Sequence, residues 1–124
     1  RNFAFDVGQA ASFEEKDAHP SALEYLFGAL AASLATGFAT ESARDNIEVD
    51  DIELSICGSL NNVLAHLGLE EGDPSIRAIE MKCFASTFDA EERVQAAWQR
   101  ALQRSPLVAT LEKAVDLQTK LVIV

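Results

Sequence analysis

Residues 21–44 read SALEYLFGALAASLATGFATESAR, with Leu23, Leu26, Phe27, Leu30, Leu34 and Phe38 at helical spacing. Gly28, Ala29, Ala31, Ala32, Ala35, Gly37 and Ala39 fill most of the gaps between them. This spacing predicts a helix, and a helix apolar nearly all round is expected to be buried. Ser21 followed three residues later by Glu24 is a capping box, so the helix should begin there. Ser33, Thr36 and Thr40 interrupt the apolar run, which leaves it too short for a bilayer core that needs about 20 apolar residues. The predicted element is a core helix whose small residues let other backbone approach.

The rest of the chain alternates with period two or returns to helical spacing. Phe3, Phe5 and Val7 alternate with Asn2, Ala4 and Asp6, which predicts a half-buried strand over 1–7. Residues 8–20 read as a loop, held extended at His19-Pro20. After a break at Asp45-Asn46, residues 47–60 carry Ile52, Leu54 and Ile56 in alternation with Asp51, Glu53, Ser55 and Cys57, a strand with one wet or interface-facing side. Residues 61–75 hold Asn61-Asn62 and Gly72-Asp73-Pro74 and form a long hairpin loop. Residues 76–86 make the second strand of that hairpin, with Ile79, Met81 and Cys83 on one side and Glu80 and Lys82 on the other. Asp89 with Glu92 is a second candidate capping box, opening a helix whose Val94, Ala97, Trp98, Ala101 and Leu102 form an amphipathic stripe. Ser105 as N-cap and Pro106 at the first helical position start a short third helix reaching about Lys113. Residues 114–124 alternate Val115, Leu117, Thr119, Leu121 and Ile123 with polar positions and close the chain as a strand. Strand, long helix, hairpin, helix pair and strand make an α+β pattern within a single domain spanning 1–124.

Composition narrows the classes of function. The 124 residues include 20 acidic and 10 basic ones, for a net charge of −10. Nucleic-acid and membrane partners are therefore not expected. Arg93, Arg100 and Arg104 fall near one another on the second long helix beside Glu91 and Glu92, and read as a solvated face. Two cysteines, Cys57 and Cys83, make no disulfide framework, so a cytoplasmic location is expected. Strand parity puts Cys83 on the apolar side of the sheet and Cys57 on the polar side, which argues against a pair between them. Residues 1–20 contain no continuous apolar stretch of the signal-peptide kind. His19 and His66 have no neighbours at metal-ligand spacing and there is no glycine-rich phosphate loop, so neither a metal nor a cofactor is called for.

SALEYLFGALAAS resembles the central-helix motif of the OsmC/Ohr family of thiol peroxidases, in which a proline two residues before a helical glutamate or glutamine leads into LLAALAAC. The final cysteine of that motif is the family's peroxidatic residue, and here the position is Ser33. A second motif, Cys-Pro-Val at the end of the second long helix, is matched by Ser105-Pro106-Leu107-Val108, with serine in place of the resolving cysteine. The resemblance runs from residue 21 to 124. It implies an OsmC-like fold, with an antiparallel sheet packed with two long helices and the central helix buried. It also implies an intertwined homodimer with sites shared between subunits. The family's Ohr branch places a carboxylate directly after its proline, where this chain has Leu23. The family arginine comes from the N-terminal strands, where Arg1 is the basic residue present.

Thiol peroxidases pass a thiolate through a sulfenic acid to a disulfide, a cycle serine cannot perform. A serine nucleophile needs a base and an oxyanion hole, and Ser33 lies mid-helix, where its hydroxyl is expected to bond back to the carbonyl four residues before. The N-cap role accounts for Ser105. The sequence thus points to an OsmC-like protein that has lost cysteine-based peroxidase activity and keeps a pocket for a small apolar or carboxylate-bearing ligand near Ser33 and Ser105, with Glu24, Phe27, Leu30 and Pro106 around it. The alternatives are an active thiol-dependent hydroperoxide reductase using Cys57 or Cys83, a form in which two native cysteines had become serine, and a purely structural or interaction dimer.

Overall fold

A computed structural model describes residues 1–8 and 19–124. Most of the predicted loop at 8–20 lies outside the described residues. The described elements run α1 (Ala22–Arg44), β1 (Asp51–Leu60), α2 (Val63–His66), β2 (Ile76–Ser86), α3 (Glu91–Arg104), α4 (Pro106–Leu111) and β3 (Asp116–Ile123). The three strands form one sheet in the order β1-β2-β3.

The capping box at the start of α1 forms as expected: Ser21 Oγ accepts the Glu24 N–H at 3.3 Å and the Glu24 carboxylate accepts the Ser21 N–H at 3.2 Å. At the other end the Ile47 N–H reaches back to the Ser42 carbonyl and the Asn46 N–H to that of Ala43, with Asn46 at φ 54°. These two bonds are the Schellman arrangement, and asparagine suits its left-handed position. It turns the chain out of the helix and drops Ile47 into the core, 5% exposed.

β1 and β2 pair antiparallel from Asp51↔Ser86 to Leu60↔Ile76, with an irregularity at Ser59/Leu60. The loop between them carries the short helix α2, which the turn-rich sequence of 61–75 does not announce; Asn62 caps it by accepting the Ala65 N–H. β3 pairs with β2 in parallel, from Ala78↔Asp116 to Ala85↔Ile123. The sheet is therefore mixed rather than wholly antiparallel, because α3 and α4 form a crossover that returns the chain to the same end of the sheet before β3 begins. β2, the middle strand, buries Ile79, Met81, Cys83 and Ala85.

α1 and α3 supply the other half of the core. Leu30, Leu34 and Phe38, four apart along α1, are fully buried, as are Val94, Ala97 and Trp98 on α3. The Phe38 and Trp98 rings meet edge to face with centroids 5.5 Å apart. The amphipathic stripe on α3 is the expected one, but its cap is not. Ala90 is the N-cap and makes no side-chain cap bond, while Asp89 instead accepts the Ala90 N–H and pairs with Arg93 at 2.7 Å.

Two expectations about exposure change. α1 is not buried all round: Gly28, Ala29, Ala32, Thr36, Ala39, Thr40 and Ala43 form an exposed side in the single chain. By length and composition the 23-residue helix would suffice to cross a membrane, against the expectation that its apolar run is too short, while Leu30, Leu34 and Phe38 are committed to the core. Residues 1–8 form no strand; Phe3, Phe5 and Val7 are 71, 68 and 59% exposed. An alternating pattern needs a sheet edge to pair with, and this stretch is tied instead to α1, through the Tyr25 hydroxyl donating to the Asp6 carbonyl and the Phe5 ring set edge-on to Tyr25.

Phe27 leans over the opposite end of the hairpin, where its ring covers the backbone of Gly58. A Cβ at Gly58 would lie 2.4 Å from the ring, so Gly58→Ala must push Phe27 off β1. Urea denaturation is expected to show a loss of about 1–3 kcal/mol, the usual cost of overfilling a packed contact. The loss should shrink in a Phe27→Ala background, and an equal loss in both backgrounds would mean that the ring is not what Gly58 accommodates.

Candidate functional site

Positions 33, 37 and 41 of α1 lie four apart on one side of the helix and face Ala101 and Ser105, themselves four apart on α3 and its C-cap. At the middle of this seam a Cβ on Gly37 would sit 3.7 Å from that of Ala101, so the two helices run close together there. One turn toward the start of α1, Ser33 Oγ and Ser105 Oγ are 2.8 Å apart. The two residues that the motif resemblance singles out, 72 positions apart in sequence, are hydrogen-bonded. Ser33 meets Ser105 across the helix pair rather than turning back to its own helix. Ser105 carries two duties, since its Oγ also accepts the Val108 N–H as N-cap of α4.

One turn in the other direction Glu41 is buried, 4% exposed. It is met by three guanidiniums: Arg104 Nη1 at 2.6 Å and Arg44 Nη1 at 3.2 Å on one carboxylate oxygen, Arg100 Nε at 3.3 Å on the other. Arg100 also pairs with Asp45. The arginines expected to form a solvated face therefore divide. Arg93 stays on the surface and pairs with Asp89, donating also to the Asp45 carbonyl, whereas Arg100 and Arg104 turn onto α1. A buried carboxylate must be paired, and the partners come from the facing helix. The signal was present in sequence as Arg100 and Arg104 at i and i+4 and Glu41 in helical phase with Ser33, but nothing in the sequence says that these two faces meet.

The cleft between the helices holds about 290 Å³ and is lined by Ser33, Thr36, Thr40, Glu41, Arg44 and Arg104 together with Gly37, Ala101, Ser105 and Pro106. Of the residues singled out in the sequence, Ser33, Ser105 and Pro106 are thus brought together. Glu24, Phe27 and Leu30 are not. Glu24 is engaged in the capping box, Phe27 covers Gly58, and Leu30 is fully buried in the core. No group of three or more histidine, cysteine or acidic side chains among the described residues is arranged to hold a metal ion.

The thiols lie elsewhere. Cys83 is fully buried on β2, and burial pushes its pKa up to about 11, which keeps it protonated at neutral pH. Cys57 is exposed on β1. The two are not bonded, in keeping with their opposite parity.

The Glu41 carboxyl is held below its ordinary value of 4.5, chiefly by the hydrogen bond from Arg104 and against the effect of burial, with Arg100 and the charges of Arg104 and Arg44 adding to the lowering. A lowered carboxyl stabilises the fold at pH values above its unfolded pKa, and that contribution is lost as pH falls through the folded value. Glu41→Gln should therefore unfold at a lower temperature than the parent at pH 7, and the gap should begin to narrow as pH falls below the unperturbed glutamate value of about 4.3 and close once it passes the lowered folded value. A gap that persists unchanged to pH 3 would assign the loss to shape rather than charge.

A family model described as OsmC-like protein matches residues 14–120. Among curated proteins no sequence match is found. Solved structures share the fold at low identity. An OsmC-like protein from Mycoplasma pneumoniae superposes with a TM-score of 0.74 at 16% identity, covering 86% of this chain and 73% of that one. An organic hydroperoxide resistance protein, OsmC, from Legionella pneumophila gives 0.61 at 12% identity, with 86 and 72% covered. The organic hydroperoxide resistance protein OhrB of Bacillus subtilis gives 0.61 at 18%, with 86 and 73% covered. With its family match spanning most of the chain, this protein belongs to the OsmC-like family.

Proposed function

We propose that this OsmC-like protein is not a peroxidase and uses the cleft at Ser33 and Ser105 to bind a small ligand. The observation that carries this reading is the 2.8 Å contact between the two hydroxyls. In a thiol peroxidase that contact would be the disulfide formed after peroxide attack; a hydroxyl forms neither a sulfenic acid nor a disulfide. The remaining thiols do not replace it, since Cys83 is buried and protonated at neutral pH and Cys57 does not line the cleft.

Cumene hydroperoxide with dithiothreitol should be consumed no faster in the presence of the protein than without it; turnover that disappears in a Cys57→Ser variant would overturn the reading. Conversely, Ser33→Cys with Ser105→Cys should close an internal disulfide on mild oxidation, seen as the loss of two hydrogens in the intact mass. Failure of the pair to close would mean that the seam does not hold these positions together.

The same reading includes a homodimer. α1 exposes Gly28, Ala29, Ala32 and Ala39 along one side, a surface of small side chains that lets a second helix approach closely. The exposed Phe3, Phe5 and Val7 add apolar surface for a second copy to cover. Light scattering on the eluting protein should give a dimer mass, and Ala32→Glu, which places a charge in the middle of that side, should give a monomer. A monomeric parent would remove this part of the proposal.

A further inference from the structure

The cleft has a polarity that an apolar ligand would not use. No large aliphatic or aromatic side chain lines it. Along α1 it presents Ser33, Thr36, Thr40 and Arg44, at spacings of three and four that put them on one side of the helix. Thr36 Oγ1 donates to the Ala32 carbonyl at 2.8 Å and Thr40 Oγ1 to that of Thr36 at 2.9 Å. With their protons committed to the helix, both threonines offer lone pairs to whatever lies in the cleft. The serine pair behaves differently, because one hydroxyl donates to the other and the second proton is left over.

The far end is cationic. Arg44 and Arg104 each give one nitrogen to Glu41, yet each guanidinium has five N–H donors. Both line the cleft and remain more than half exposed, 61 and 57%. Arg44, Arg100 and Arg104 against Glu41 and Asp45 leave a net positive charge of one at this spot, in a chain whose total is −10. Glu41 thus holds two partly used guanidiniums in place without neutralising the cluster. Forked donors of this kind match a carboxylate or phosphate.

We propose that the cleft is a receptor for a small hydroxylated oxyanion, whose carboxylate or phosphate is held by Arg44 and Arg104 and whose hydroxyl groups donate to Thr36 and Thr40. This rests on the ligand-binding reading above and names its chemistry. The size suits a small ligand, since about 290 Å³ lies just under the roughly 300–1,000 Å³ typical of small-molecule sites.

The test is a titration of the full chain, followed by amide chemical shifts, with glycerate, glycerol 3-phosphate and uncharged glycerol. The two anions should give saturable shifts at Gly37, Thr40 and Ser105 and glycerol should give none. Arg44→Gln, a change at an exposed side chain, should weaken anion binding about tenfold or more, as expected for loss of a charge-assisted hydrogen bond; Arg104→Gln should do the same and serves as the second variant. Shifts confined to another surface, equal binding of glycerol, unchanged affinity in a folded Arg44→Gln or Arg104→Gln, or no saturable shift with either anion would each overturn the proposal. Comparing glycerate with glycerol 3-phosphate separates carboxylate from phosphate. An apolar ligand found in the cleft would sink the oxyanion while sparing the ligand-binding reading, and hydroperoxide turnover in the assay above would sink the non-peroxidatic reading without bearing on the anion.

Discussion

The close run of α1 against α3 at Gly37 and Ala101 is the constraint on which the remaining architecture depends. With a bulky residue on either helix, Ser33 could not reach Ser105 and Glu41 could not be enclosed by the arginines. The seam has two neighbours of opposite character. On one side Leu30, Leu34 and Phe38 fill the core against Trp98 and the middle strand, and on the other a row of hydroxyl, carboxylate and guanidinium groups lines an open cleft. A helix has room for both because residues at i, i+4 and i+8 stay on one side while those offset by three face the adjacent groove.

Glu41 gives this seam an electrostatic lock as well as a steric one. Isolated surface ion pairs contribute little, since water screens them and the side chains lose freedom in forming them. A buried carboxylate differs because leaving it unpaired is costly. The arrangement therefore favours one register of α1 on α3: sliding by a turn would remove Arg100 and Arg104 from Glu41 and part the two serines. The same lock keeps Arg44 and Arg104 at the mouth of the cleft, so the feature that fixes the helix pair also sets the charge of the site.

The chain keeps the family's fold, and at the seam between α1 and α3 two hydroxyls meet. Of sulfur and oxygen, only sulfur cycles between thiolate, sulfenic acid and disulfide. Oxygen in the same place can hydrogen-bond and little else without a base beside it. On the reading proposed above, the seam serves recognition rather than electron transfer, and the polar lining between Ser33 and Arg44 supports that reading.

By itself the sequence determined the long helices, the hairpin strands and several of their ends, though not the short helix α2 or the cap of α3. Ser21 and Glu24 set the start of α1, Asn46 its stop, Ser105-Pro106 the start of α4, and the alternation of β1 and β2 put Cys83 inward and Cys57 outward. These are legible because capping and side-chain parity depend on residues only a few positions apart. The motif resemblance added the pairing of positions 33 and 105, which no local rule supplies. What tertiary structure alone decided is the parallel placement of β3, the exposed side of α1, the lack of a strand at 1–8, and above all the meeting of Glu41 with Arg100 and Arg104. Each depends on which faces of distant elements come together, and a charged residue on a helix reads the same in sequence whether its face meets water or a neighbouring helix.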